Sequence, residues 1–108
     1  MKPKKIMTEE DRQAEISRIR MPKGNQMFGV VTSMSGNSKV IVDCEDGKTR
    51  VGRIRGKIRK RVWIRLGDLV IIEPWVVQSD ERCDVFWKYT RTQTNYLKRT
   101  GKIKLDLE

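Results

Sequence analysis

The chain has 108 residues and carries 24 Lys or Arg against 14 Asp or Glu, which gives a formal net charge of +10. This length suits one compact domain with a modest core and excludes two. The sequence contains no histidine, which removes the commonest general base and disfavours an enzyme.

A strongly basic balance favours nucleic acid or an anionic membrane surface as the partner. No apolar stretch approaches the roughly 18 to 20 residues that span a bilayer, and no apolar signal-peptide region follows the N-terminus. We therefore expect a cytoplasmic protein, monomeric and without membrane contact.

Residues 1–22 are predicted to form a flexible, basic N-terminal tail. Thr8, followed by three acidic residues, indicates a helix start, and Pro22 would stop that helix. The apolar stripe is thin, and isolated helices this short are marginal in water. We expect disorder or a fluctuating helix, either simply solvated or ordered by RNA.

Five short strands are predicted in the domain that follows, residues 23–89. They are Met27–Met34, Lys39–Cys44, Thr49–Ile54, Leu69–Glu73 and Asp84–Tyr89. Gly29 indicates a bulge or a close backbone approach, and Asp46-Gly47 is a strong hairpin signal. The unbroken apolar run of the fourth strand indicates burial on both faces. In the fifth strand, Val85, Trp87 and Tyr89 are predicted to share one face.

Helical character is predicted at two places. A basic loop or single helical turn covers Lys57–Arg61, and an amphipathic helix covers Thr90–Thr100, closed by Gly101. Residues 90–101 are expected to pack on the barrel, and residues 102–108 to form a short tail. This element order is that of a five-stranded, all-β OB-fold barrel. An SH3-like barrel has the same strand count, but the helical segment favours OB.

The stretch from Lys48 to Arg65, called here the basic segment, is the most informative part of the chain. It contains no acid and nine basic residues, namely Lys48, Arg50, Arg53, Arg55, Lys57, Arg59, Lys60, Arg61 and Arg65. Apolar residues such as Ile54 and Ile64 recur through it and can anchor it to a core. A basic surface on a rigid scaffold is what binding to a nucleic-acid backbone requires. A solvated charged loop is the alternative, which the lack of acids disfavours.

The aromatic and sulfur side chains carry weaker signals. Trp63 suits either a core position or a base-stacking platform, whereas Trp75 and Trp87 are predicted to be structural. Cys44 and Cys83 are predicted to be buried thiols, because two thiols without histidine do not make a usual zinc site. We predict no metal, no cofactor and no catalytic residues.

Residues 26–101 resemble translation initiation factor 1A of archaea and eukaryotes, a distant relative of bacterial initiation factor 1. The resemblance rests on the DGK-R hairpin, the R-I-x-G-K-[IL]-R-[KR] loop followed by [VL]-W, and the later CD-x-x-x-KY, all in order. The match is best to the archaeal type.

The resemblance implies an OB-fold protein that binds rRNA at the A site of the small ribosomal subunit. It implies help with initiator tRNA placement and start-codon selection, together with other initiation factors. In this family the basic loop enters the decoding centre, which implies contacts from Arg55, Lys57, Arg59, Lys60 and Arg61, with Trp63 on a displaced base. Lys48, Arg50 and Arg53 would extend that surface. The N-terminal tail would add rRNA contacts from Lys2, Lys4, Lys5, Arg18 and Arg20.

Two other functions fit the residues less well. A general single-strand RNA binder or RNA chaperone of cold-shock type displays several aromatics on adjacent strands, whereas this chain has two Phe and two Tyr. A nuclease would need carboxylates arranged around a metal ion, and the acid pairs lie in or beside turns.

Overall fold

The computed structural model describes residues 8–36, 38–55 and 64–103. Its elements are, in chain order, α1 (Glu9–Ser17), β1 (Met27–Met34), β2 (Lys39–Cys44), β3 (Thr49–Ile54), β4 (Leu69–Pro74), β5 (Arg82–Lys88) and α2 (Arg91–Arg99). The strands close into a barrel in the order β1-β2-β3-β5-β4. β3 and β5 pair in parallel, and the other neighbours are antiparallel. This closed five-stranded barrel is the predicted OB fold. The helical turn predicted at Lys57–Arg61 lies outside the described residues.

Gly29 lies where side chains of both strands that pair with β1 approach its backbone closely. A Cβ atom added there would be 2.4 Å from Cγ1 of Val42 and 3.5 Å from Cγ2 of Ile72. The bulge of β1 lies further along, between Val31 and Ser33. The close approach is therefore the reason for glycine at this position.

β4 is buried on both faces, as its apolar run predicts. Val70 and Ile72 belong to the core cluster that fills the barrel. Leu69 and Ile71 belong to a second cluster, which also contains Leu97 of α2. The barrel therefore has two cores, one inside it and one between its wall and α2.

β5 differs from its prediction in its bounds and in its faces. It begins at Arg82, because Cys83 already pairs with Pro74 and Gly52. The register against β4 shifts so that Ile71 pairs with Trp87 while Ile72 pairs with Val85. Val85 consequently lies in the barrel core, whereas Trp87 packs against the outer cluster. The predicted common face is wrong for Val85, because a bulge changes the alternation of side chains. Trp87 and Tyr89 do share the outer cluster.

α2 begins at a reciprocal capping box. The Thr90 side chain accepts a hydrogen bond from the Gln93 backbone N–H, and the Gln93 side chain accepts one from the Thr90 N–H. Gly101 follows the helix with a φ of 72°. This left-handed backbone conformation suits glycine and is adopted by other residues only at an energetic cost.

α1 contacts α2, which differs from the expected free tail. It starts at Thr8 with a capping box to Asp11. The Gln93 amide donates a hydrogen bond to the Glu15 backbone carbonyl at 2.9 Å, and the Thr90 hydroxyl lies 3.1 Å from the Glu15 carboxylate. These two hydrogen bonds are polar, and Ile19, just after α1, packs against the outer core cluster.

Candidate nucleic-acid interface

The barrel has two ends of different charge. The end called here the hairpin end carries the β2–β3 turn, residues 45–48, and the β4–β5 loop, residues 75–81. The end called here the basic end carries residues 35, 36 and 38, together with Arg55 and residues 64–67, which lie on either side of the most basic stretch of the chain. The Ile54 N–H donates to the Ser38 carbonyl at 2.8 Å, and the Gly67 N–H donates to the Val31 carbonyl at 2.7 Å. These bonds fix the basic end to the barrel wall.

The basic segment is anchored in the core on both sides of its most basic part. Ile54 is 7% exposed and Ile64 is 6% exposed, and both belong to the cluster inside the barrel. Between them lie five predicted contacts, Lys57, Arg59, Lys60, Arg61 and Trp63, all outside the described residues. Both described ends of this basic stretch are thus held in the barrel core.

Three predicted contacts are described at or near this end. The Arg55 guanidinium lies 4.6 Å from the ring centre of Phe86. Arg53, whose side chain is 60% exposed, pairs with Asp84 at 3.3 Å. Arg65 is exposed, and its backbone N–H donates to the Asp68 carboxylate at 2.7 Å. Solvent reaches the Arg53 side of the Arg53–Asp84 pair, although the Asp84 side chain is only 19% exposed, and such screening weakens an ion pair.

The other two members of the basic segment lie at the hairpin end. Lys48 pairs with Asp80 at 2.5 Å. Arg50 is only 3% exposed, and its guanidinium donates to both Asp46 oxygens, at 3.0 and 2.8 Å, and to the Ser79 carbonyl at 2.6 Å. We predicted an RNA contact from Arg50, but a buried and fully engaged guanidinium offers RNA little surface. The sequence could not show that Arg50 is buried, because Arg50 stands in a run of basic residues.

Trp75 was predicted only as a structural residue, and it forms part of a cationic stack on the outer wall. Its ring centre lies 5.4 Å from the Arg53 guanidinium and 5.8 Å from that of Arg82. Its indole N–H donates to the Asp84 carboxylate at 3.0 Å. The stack arises because β3 and β5 pair in parallel and bring Arg53 opposite Asp84. The sequence gives no signal for that pairing.

The predicted tail contacts divide between described and undescribed residues. Lys2, Lys4 and Lys5 lie outside the described part of the chain. Arg18 is exposed, whereas the Arg20 guanidinium lies 4.7 Å from the ring centre of Trp87. The Arg20 carbonyl accepts a hydrogen bond from the Tyr89 hydroxyl. Burial raises the pKa of that hydroxyl, so it remains protonated and able to donate.

The thiols are structural. Cys44 and Cys83 are buried, unpaired by any disulfide, and packed in the barrel core, as predicted. Residues 8–36, 38–55 and 64–103 include no group of three or more His, Cys, Asp or Glu that could hold a metal ion. Within the same ranges no helix has the length and apolar character needed to cross a membrane.

Comparison with known proteins agrees with this architecture. The family model described as "Translation initiation factor 1A / IF-1" matches residues 12–108. Translation initiation factor 1A of Methanopyrus kandleri is 58% identical over 88 residues, which cover 82% of this chain and 78% of that protein. The same factor of Pyrococcus abyssi is 56% identical over 89 residues, which cover 82% of this chain and 79% of that protein.

A solved structure also shares the barrel. The crystal structure of YjeQ from Thermotoga maritima aligns with a TM-score of 0.51 and 26% identity, over 61% of this chain and 23% of that one. The likeness is limited to a small part of that protein. The family match and the relatives identify the chain as a member of the translation initiation factor 1A family, a group of non-enzymatic factors that act in translation initiation.

Proposed function

We propose that this chain binds rRNA at the A site of the small ribosomal subunit, through the basic end of its barrel. There it would keep elongator tRNA out and, with other initiation factors, assist initiator tRNA placement and start-codon selection. The mechanism is occupation of a site, so it needs neither a metal nor a catalytic group. Phosphate contacts would supply affinity, and the fit to folded rRNA would supply specificity.

One observation carries this proposal. The most basic part of the chain, seven basic residues and no acid from Arg53 to Arg65, joins the core at Ile54 and Ile64. Anchoring at both sides lowers the entropy that must be lost when a loop binds. A short loop with this charge is suited to entering a folded RNA groove, where each phosphate neutralised by Lys or Arg releases counterions.

The tail would add to the same interaction. α1 already contacts α2 through Gln93 and Thr90, so binding would not have to order it from a random chain. Arg18 is exposed at the end of α1, and Lys2, Lys4 and Lys5 precede the helix. We propose that these cations contact rRNA next to the site filled by the loop.

Chemical footprinting of small-subunit rRNA tests this function. We expect changes in reactivity confined to decoding-centre bases when the protein is added at near-physiological salt. A variant with Trp63, Arg59, Lys60 and Arg61 replaced by alanine should lose those changes. The matched control is a variant with Arg91, Arg99 and Lys102 replaced by alanine, which removes equal charge from α2 and the residues after it. Diffuse protection, or none, would contradict the proposal.

A general single-strand RNA binder is the alternative, and the outer wall gives it little support. Trp75 and Phe86, both on or beside β4 and β5, are covered by arginines rather than open to bases. Affinity for unstructured oligonucleotides separates the two functions. We expect it to be at least tenfold weaker than affinity for small subunits, and equal affinities would favour the alternative.

A further inference from the structure

The β4–β5 loop displays two valines to solvent. Val76 is 99% exposed and Val77 is 73% exposed. Single exposed apolar residues are ordinary on protein surfaces. Two consecutive exposed β-branched residues that follow the half-buried Trp75 in one loop expose more apolar surface than an isolated residue does, and larger exposed apolar surface more often marks an interaction site.

The loop that carries them is held firmly. The Trp75 N–H donates to the Arg82 carbonyl at 3.0 Å, closing the base of the loop. The Arg50 guanidinium donates a hydrogen bond to the Ser79 carbonyl at 2.6 Å, and Lys48 forms an ion pair with Asp80. Gln78 adopts a φ of 59°, a left-handed shape that non-glycine residues adopt when the surroundings impose it. The two valines are thus presented in a fixed geometry that loses little freedom on binding.

The charge around the valines is opposite to that of the basic end. The hairpin end, with the strand residues next to it, carries five carboxylates, Asp43, Glu45, Asp46, Asp80 and Glu81, against three cations, Lys48, Arg50 and Arg82. Two of those cations are neutralised by Asp80 and Asp46. A net negative surface repels RNA phosphates, so nucleic acid is a poor occupant of this end.

We infer that the hairpin end docks a protein, one whose surface offers an apolar pocket bordered by basic side chains. Val76 and Val77 fill the pocket, and the carboxylates of Glu81 and Glu45 face its basic rim. The inference rests on the proposed function only in that the opposite end is turned toward rRNA. One barrel would then link RNA on one side to a protein on the other.

Photo-crosslinking in assembled complexes tests this inference. A photoreactive benzoyl-phenylalanine is placed at Ser79, an exposed residue of the same loop as the valines, and separately at Leu66, which is 63% exposed at the basic end. The complexes contain archaeal small subunits with and without purified initiation factors. We expect the Ser79 probe to label a protein and the Leu66 probe to label rRNA. Labelling of rRNA or of a second copy by the Ser79 probe, or no labelling, overturns the inference.

A double variant tests whether the valines are what the partner recognises. Val76→Ser with Val77→Ser should lower the protein cross-link from Ser79 at least tenfold and leave the melting temperature unchanged. Met34→Ser, an equally polar change at a side chain 46% exposed on β1, should leave that cross-link intact. An undiminished cross-link in the double variant overturns the inference. Failure of the Leu66 probe to label rRNA would instead count against the proposed function.

Discussion

The buried Arg50 guanidinium and the Asp46 carboxylate form a two-point ion pair across the β2–β3 hairpin, with N···O distances of 3.0 and 2.8 Å. Arg50 also holds the β4–β5 loop through the Ser79 carbonyl. A single cation therefore fastens two connections of the barrel to each other. Arg50, although it stands in a basic run, thus has a structural role, because its buried guanidinium is bonded to Asp46 and Ser79.

Removing the charge of Asp46 is expected to destabilise the protein. Asp46→Asn leaves the Arg50 guanidinium buried without its counterion, and we expect a loss of about 1–3 kcal/mol in the free energy of unfolding at pH 7. Urea unfolding measures it. Asp80→Asn is the control, because its pair with exposed Lys48 is worth about 0–1 kcal/mol. Equal losses in the two variants would contradict the structural role of Arg50.

The same pair predicts how stability depends on pH. Hydrogen bonds from Arg50 hold the pKa of Asp46 below its usual range. A carboxyl with a lowered folded-state pKa stabilises the protein above its unfolded pKa, about 4, and loses that contribution as pH falls through the folded value. Urea midpoints measured from pH 7 to pH 2.5 should fall less steeply in Asp46→Asn. Identical pH profiles would show that the pair does not stabilise the fold.

Gly29 should not tolerate a side chain. Gly29→Ala would place its Cβ 2.4 Å from Cγ1 of Val42, and we expect a loss of about 1–3 kcal/mol from overpacking. Thermal and urea unfolding measure this loss. Ser33→Ala, at an exposed position of the same strand, should stay within about 0.5 kcal/mol of the original protein. A stable Gly29→Ala protein would mean that β1 can move away from β2.

Charge removal from the loop should change the salt dependence of subunit binding. Replacing Arg59, Lys60 and Arg61 by alanine is expected to weaken binding and to lower the slope of log K against log salt by about 2, since fewer counterions are released. Titrations at several salt concentrations measure the slope. The control with Arg91, Arg99 and Lys102 replaced should keep the original slope. Equal changes in both variants would point to net charge rather than to the loop.

Trp63 is expected to stack on a base. Trp63→Ala should weaken subunit binding about 5- to 150-fold, corresponding to roughly 1–3 kcal/mol for one stacked base, while Trp63→Phe should retain part of the affinity. Equilibrium binding at fixed salt distinguishes the variants. A large drop in melting temperature for Trp63→Ala would indicate a core residue instead.

Gln93 should control the attachment of α1. Gln93 is 4% exposed, caps α2, and donates to the Glu15 carbonyl at 2.9 Å. Gln93→Ala should cost about 1–2 kcal/mol through the lost cap and hydrogen bond. Hydrogen exchange should quicken in residues 9–17 more than in the barrel. Asn95→Ala, at an exposed position of α2, should leave that exchange unchanged.

Several features could be predicted from the sequence because they depend on neighbouring residues. Alternating apolar residues predicted β2 and β3 with the same bounds as in the structure, and Asp46-Gly47 predicted the turn between them. The apolar run of β4 indicated burial on both faces, since each face meets a different core. Nine cations without an acid indicated an anionic partner, because charge of one sign acts at long range whatever the fold.

Other features depended on residues distant in the chain. The parallel pairing of β3 with β5 created the stack of Trp75 on Arg53, and the bulge opposite Ile71 turned Trp87 to the outer core. One of the hydrogen bonds that dock α1 goes to the Glu15 backbone carbonyl, a group that every residue possesses and no sequence pattern reveals. β3 separates Lys48 and Arg50, at its start, from Arg55, which follows its end. Local pattern thus determined the elements and the net charge, whereas tertiary contacts decided which charges remained available, because burial and pairing depend on what the folded chain brings together.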